Sequence, residues 1–179
     1  MTFHHLLSED THNKDLKINL KKIFSTDEDK PIESAIHKAV TLSVSLALQD
    51  KTIIEHAYNY SKNLDENLIN AANIAANTMA MNNVYYRATH LINSSTLSQQ
   101  PAGLRMQGIT QHGIDTAVFE LMSLAISAIN GCGLCLQSHY KQLQSHFNDE
   151  QITEALRIAS ILHALKQSCF AAQTAAVTA

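Results

Sequence analysis

Residues 115–135 read DTAVFELMSLAISAINGCGLC, and this stretch decides the fold class. Val118, Leu121, Met122, Ala125, Ile126 and Ile129 recur at three- and four-residue intervals, the period of an α-helix with one face turned inward. Asp115 stands where a side chain caps the first turn, and Gly131 stands where a left-handed residue ends the last one. A C-x-x-C pair, Cys132 and Cys135, follows at once and leads into a second helical pattern that runs to Phe147.

The same period extends in both directions. Asn148 or Asp149 is positioned to cap a long last helix carrying Ile152, Ala155, Leu156, Ala159, Leu162 and Leu165, with fraying expected from Ala171. Towards the N-terminus, residues 94–113 lose the period and collect Ser94, Ser95, Ser98, Pro101, Gly103, Gly108 and Gly113, a connector with room for a short helical turn. Before it, Asp65 caps a helix with Leu68, Ile69, Ala72, Ala75, Ala76 and Met79 that continues or bends at Asn82 and Asn83. A helical piece carries Ile53, Ile54 and Ala57, and another carries Ile36, Val40, Val44 and Leu48 with Pro31 in its first turn. Residues 11–24 put Leu16, Leu20, Ile23 and Phe24 on one face.

An internal repeat emerges from this pattern. Ala39-Val40 through Ala47-Leu48 lines up with Ala117-Val118 through Ala125-Ile126, and Asp65-Glu66-Asn67-Leu68 with Asp149-Glu150-Gln151-Ile152. The second match is offset by six more residues than the first, and the difference falls where residues 130–139 lie. The expected organisation is a single domain over 1–179, with a degenerate half at about 30–93 and a half at about 113–170 that carries the C-x-x-C.

Composition agrees with an all-α domain. The chain has 179 residues, enough to bury about two-thirds of its unfolded surface, and its five glycines and two prolines are few turn formers for an all-β architecture. A net charge of −3, with the lysines of residues 17–22 balanced by Asp27, Glu28 and Asp29, argues against a nucleic-acid partner. Residues 1–10 carry two histidines, a glutamate and an aspartate where a secretory signal needs a cationic start and an apolar run. The longest apolar stretches are too short to span a bilayer, so a cytoplasmic location without membrane attachment is expected.

In a reducing compartment three cysteines do not make a disulfide framework, and a C-x-x-C is a redox pair, half of a metal site or an incidental spacing. A structural zinc needs four ligands, and His139, His146, His163 and Cys169 show no second spaced pair. Redox chemistry has more in its favour. The first turn of a helix leaves amides unpaired and favours a thiolate there, and a spacing of three brings the two sulfurs within reach of each other. His139 follows Cys135 by four residues and so shares its helix face. Glu120 sits in the apolar run Phe119-Glu120-Leu121-Met122, where loss of water would make it a proton acceptor. Cys169 reads as a small buried hydrophobe, and Tyr85 and Tyr86 beside Arg87 read as packing without a role.

These residues resemble the alkylhydroperoxidase D (AhpD) family, in the broader group that includes carboxymuconolactone decarboxylase. Phe119-Glu120-Leu121, Ser127-Ala128-Ile129-Asn130-Gly131-Cys132-Gly133 and Cys135 with Ser138-His139 carry the resemblance, which is specific over residues 113–139. It implies an AhpD-like helical fold of two similar halves, assembled as a homo-oligomer, commonly a trimer. It further implies a lipoyl-dependent peroxidase with no bound cofactor. Such proteins take electrons from dihydrolipoamide on a lipoylated dehydrogenase-complex subunit, pass them to the peroxiredoxin AhpC and reduce peroxides weakly themselves. On that resemblance Cys135 is the attacking thiol, Cys132 the resolving one, and Glu120 with His139 the proton relay. Tyr140 after the histidine, and Gly133-Leu134 between the cysteines, depart from many relatives and bear on partner preference more than on chemistry. Two other readings stand beside this one: a cofactor-free decarboxylase-like enzyme on the same fold, and a helical interaction module holding a structural zinc.

Overall fold

The computed structural model describes residues 3–7, 11–25 and 30–178, and among them every regular element is a helix. Helix α1 is Lys14–Ile23, α2 Ser34–Leu48, α3 Lys51–Tyr60 and α4 Glu66–Ile92. After the short α5, Ser95–Ser98, come α6 Thr116–Ile129, α7 Gly133–Leu143 and α8 Asp149–Thr178. Asp27, Glu28 and Asp29, read as the counterweight to the α1 lysines, lie outside the described residues, as do Met1, Thr2 and residues 8–10.

Side-chain caps set the helix starts. The Asp65 carboxylate accepts the Asn67 amide at 2.8 Å, and that of Asp115 accepts the amides of Ala117 and Val118 at 2.9 and 3.2 Å. At α8 the side chains of Asn148 and Gln151 each accept the other's amide at 2.9 Å, a reciprocal box that makes Asn148 the cap.

Three boundaries differ from the sequence reading, and one open choice is settled. Pro31 lies ahead of α2 rather than in its first turn: Ile32 is drawn into the core and Glu33 is extended, so the helix starts only at Ser34. Of the two courses open to α4, the helix takes the continuous one through Asn82 and Asn83, where the Asn83 amide bonds across to α6 and does not compete with its own backbone. Helix α7 stops at Leu143, whose carbonyl accepts the amides of both His146 and Phe147 at 2.9 Å. Helix α8 continues through the alanine-rich end to Thr178, in keeping with the high helix propensity of alanine.

Helices α2 and α6 form the centre. They pack on each other, and both pack on α4 and α8. Every residue of α6 from Ala117 through Ser127 is buried, and so is every residue of α2 from Ala39 through Ser45. Leu42, Leu48, Leu121, Met122, Ile126, Ile158 and Leu162 fill the space between them, each contributing about 1.5–3 kcal/mol of burial. The hydroxyls of Ser43 and Ser45 bond back to Val40 and Thr41 carbonyls of their own helix at 2.9 and 2.8 Å, so this core carries them without loss. The order of helices over 34–92, of 15, 10 and 27 residues, recurs over 116–178 as 14, 11 and 30. No helix of the described residues is long and apolar enough to cross a membrane.

One buried titratable group makes the fold sensitive to acid. His37 on α2 is fully enclosed, edge-on to Phe24, with Nδ1 3.1 Å from the Tyr60 hydroxyl. Burial first, and the Lys30 cation second, push its pKa down to about 4. The unfolded chain therefore binds a proton near pH 6.5 that the folded chain refuses until about pH 4. This contribution to stability is complete above pH 6.5 and is lost as the pH falls. Between pH 7 and pH 5 urea unfolding should show wild type losing up to about 2 kcal/mol more than His37→Gln; equal losses would dismiss the effect.

Candidate functional site

The site is built at the corner where α6 hands over to α7. Helix α6 closes with a paired set of backbone bonds: the Gly131 amide donates to the Ala128 carbonyl at 3.2 Å, and the Cys132 amide to the Ser127 carbonyl at 3.1 Å. The motif needs a left-handed residue, and Gly131 supplies it at φ +65°. Cys132 is thus the last residue tied to α6 and at the same time the N-cap of α7. Its Sγ accepts the Cys135 amide at 3.3 Å, and its carbonyl accepts that of Leu136 at 2.9 Å.

The structure carries Cys132 and Cys135 as a disulfide, with Cα atoms 5.3 Å apart, inside the range such a bond requires. Cys132 is fully buried, and Cys135, 8% exposed, is the one of the pair with surface open to the outside. Both lie at the helix start, where unpaired amides favour negative charge on sulfur.

Glu120 and His139 form the second pair. Glu120 points from the middle of α6 and is buried, against the usual placing of a helix glutamate at the surface. Its Oε2 lies 2.6 Å from His139 Nδ1, with both side chains largely excluded from water. Nδ1 donating to the carboxylate leaves Nε2 as the nitrogen that exchanges a proton. His139 is one turn beyond Cys135 on the same face of α7. The packing of α6 on α7 thus joins Glu120 to His139, and the four residues singled out in the sequence form two bonded pairs linked by the shared α7 face of Cys135 and His139.

Other candidates fall elsewhere. Cys169 is buried on α8, and burial pushes its thiol up from the ordinary value, with Asp50 adding to the shift. Among the described residues no three His, Cys, Asp or Glu side chains gather in a way that would hold a metal ion, so the zinc reading lacks its further ligands. Tyr85 and Tyr86 meet edge-on at 5.3 Å and, with Thr89, His90, Leu97 and Leu134, line a groove of about 480 Å³, so Leu134, one of the two residues between the cysteines, borders an opening. Tyr140 ties the start of α8 to α7, its hydroxyl donating to Asp149 at 2.9 Å.

Sequence reasoning passes over a polar network behind the disulfide. Asn83 Nδ2 donates to the Ser127 hydroxyl at 3.0 Å, Asn130 Nδ2 donates to Asn83 Oδ1 at 3.0 Å, and the Arg87 guanidinium donates to the Asn130 carbonyl. The one signal available was the spacing of four from Met79 to Asn83 to Arg87, which places them on one face of α4.

Residues 96–177 match the model of the Carboxymuconolactone decarboxylase family. A protein of Coxiella burnetii named alkyl hydroperoxide reductase AhpD is 41% identical over 156 residues, covering 86% of this chain and 88% of that one. A protein of the same name from Frankia alni is 35% identical, covering 92% of this chain and 89% of its own. Another from Hyphomonas neptunium is 50% identical over 97 residues, about half of each chain.

Proposed function

From the premise that the chain belongs to the AhpD family, we propose that it is an alkyl hydroperoxide reductase working through the Cys132–Cys135 dithiol, with dihydrolipoamide as the electron source and an AhpC-type peroxiredoxin as acceptor. The observation that carries the reading is a helix-capping disulfide with, one helical turn on along α7, a histidine held by a buried glutamate at 2.6 Å.

In the reduced protein the Cys135 thiolate attacks the distal oxygen of a hydroperoxide. The O–O bond breaks, an alcohol leaves with a proton, and Cys135 becomes a sulfenic acid. The Cys132 thiol then attacks that sulfur, the S–O bond breaks, water leaves and the disulfide closes. One thiolate of dihydrolipoamide opens the bridge as a mixed disulfide, and its second thiol displaces the protein sulfur, giving lipoamide and the free dithiol. With a peroxiredoxin disulfide in place of the peroxide, the Cys135 thiolate attacks sulfur and the same two-thiol closure releases the reduced partner. His139, oriented by Glu120, takes the proton from the attacking thiol and returns one to the leaving oxygen.

The greater exposure of Cys135 than of Cys132 supports Cys135 as attacker, and the contact of His139 Nδ1 with the Glu120 carboxylate supports Nε2 as the proton carrier. The test is peroxide consumption with dihydrolipoamide as sole reductant, with and without an AhpC-type peroxiredoxin. Slow consumption alone and faster consumption with the partner is the expected result. A chain whose disulfide dihydrolipoamide fails to open rejects the reading.

A further inference from the structure

We propose that Asn83 and Arg87 are positioning residues for the dithiol: a clamp on α4 that holds residues 127–132 and so governs how readily Cys132 closes on Cys135. The inference rests on the dithiol reading above and extends it to residues outside the α6–α7 corner.

Met79, Asn83 and Arg87 rise along one face of α4 and meet the corner in the same order. Met79 Sδ is a weak acceptor 3.9 Å from both Asn83 Nδ2 and the Ser127 hydroxyl. Asn83 bonds Ser127 with one end of its amide and Asn130 with the other, at 3.0 Å each. Arg87 takes the Asn130 carbonyl and lies beside Gly131, its Nη1 3.9 Å from where a Cβ would stand. The Ser127 carbonyl in turn holds the Cys132 amide.

The backbone bonds of the helix end would stop α6 without any of these contacts. What the clamp adds is the direction in which the chain leaves for α7, because the last turn of α6 is tied at Ser127 and Asn130 to a third helix just ahead of Gly131. A dithiol closes in proportion to how often its sulfurs are held at bonding geometry, an effective-concentration effect. Holding Ser127, Asn130 and Gly131 therefore favours the closed form. The polar side chains are also costly where they are: Asn83 is fully buried, and a purely structural core offers cheaper apolar alternatives.

The experiment equilibrates full-length wild type, Asn83→Ala, Arg87→Met and Arg87→Lys in mixtures of reduced and oxidised glutathione. The exchange is dithiol plus glutathione disulfide giving protein disulfide plus two glutathione thiols, and the oxidised fraction is read by thiol labelling and mass. Far-UV circular dichroism verifies that each variant is folded. The equilibrium constant for disulfide formation should fall about fivefold in Arg87→Met, the size of one hydrogen bond's net contribution, and by at least as much in Asn83→Ala, which removes two. Arg87→Lys should recover most of the loss, since an ammonium still donates to a carbonyl. Arg87 is exposed, so its variants keep the test open if Asn83→Ala fails to fold. A structural role alone would lower the melting temperature and leave the constant of the folded chain in place. Constants within twofold of wild type overturn the clamp, and so does a rise in Arg87→Met, which would mean that the guanidinium acts through its charge on a thiolate. A wild-type pair that does not close reversibly defeats the dithiol reading itself, so the control separates the two failures.

Discussion

Cys135→Ser should lose dihydrolipoamide-dependent peroxide reduction by on the order of a thousandfold or more, while Cys169→Ser keeps nearly all of it. A serine hydroxyl stays protonated at neutral pH and forms no disulfide, so both the attack and the closure are removed at once. The contrast with Cys169 matters because a generic effect of oxidation or of lost thiols would touch any cysteine. Cys169 sits on α8 in a desolvated site that pushes its thiol up and holds it neutral. Cys132→Ser should separate the two steps: Cys135 still attacks one peroxide, the sulfenic acid persists long enough to be trapped by a dimedone-type reagent, and turnover stops. Equal losses in the Cys135 and Cys169 variants would reject the assignment.

The second large effect is expected at Glu120. Glu120→Gln retains size and a hydrogen-bond acceptor for His139 but removes the charge that stabilises a protonated imidazole. General acid–base assistance is worth about 10²–10⁴-fold, and part of it should disappear from alkylation of the reduced protein by iodoacetamide near neutral pH. A slowing of tenfold or more, recovered as the pH is raised, is the expected pattern, because hydroxide ionises the thiol without the relay. His139→Phe should give the same profile, since the two side chains work as one unit joined at 2.6 Å. Combining the two changes should add little to either. Unchanged alkylation rates in both variants would remove the pair from the mechanism, and a fall that persists at high pH would point to disrupted packing at the α6–α7 corner instead.

How much of this was legible in residues 1–179 follows from the range of each interaction. Periodicity reports local burial, so the helices, the caps Asp65 and Asp115 and the break at Gly131 were readable, and the structure keeps all of them. The start of α2 was misplaced because Pro31 suits a first turn equally well whether or not Ile32 is pulled into the core, and that pull comes from distant residues. The choice between continuing and bending at Asn82 and Asn83 stayed open in the sequence for the same reason: an asparagine read alone competes with its helix, while Asn83 in place has a partner on α6.

The chain by itself determined the dithiol and its surroundings within a few turns. The C-x-x-C spacing, the glycine before it and a histidine four residues after Cys135 are all local, and local backbone geometry brings them together. Only the tertiary structure decided that Glu120 reaches His139, 19 residues later, and that Asn83 and Arg87, more than 40 residues earlier, grip the turn ahead of Cys132. Those contacts depend on how α4, α6 and α7 pack. Packing is set by the sum of many apolar contacts along each helix, a quantity that the period of a sequence records as a buried face without naming the helix that covers it.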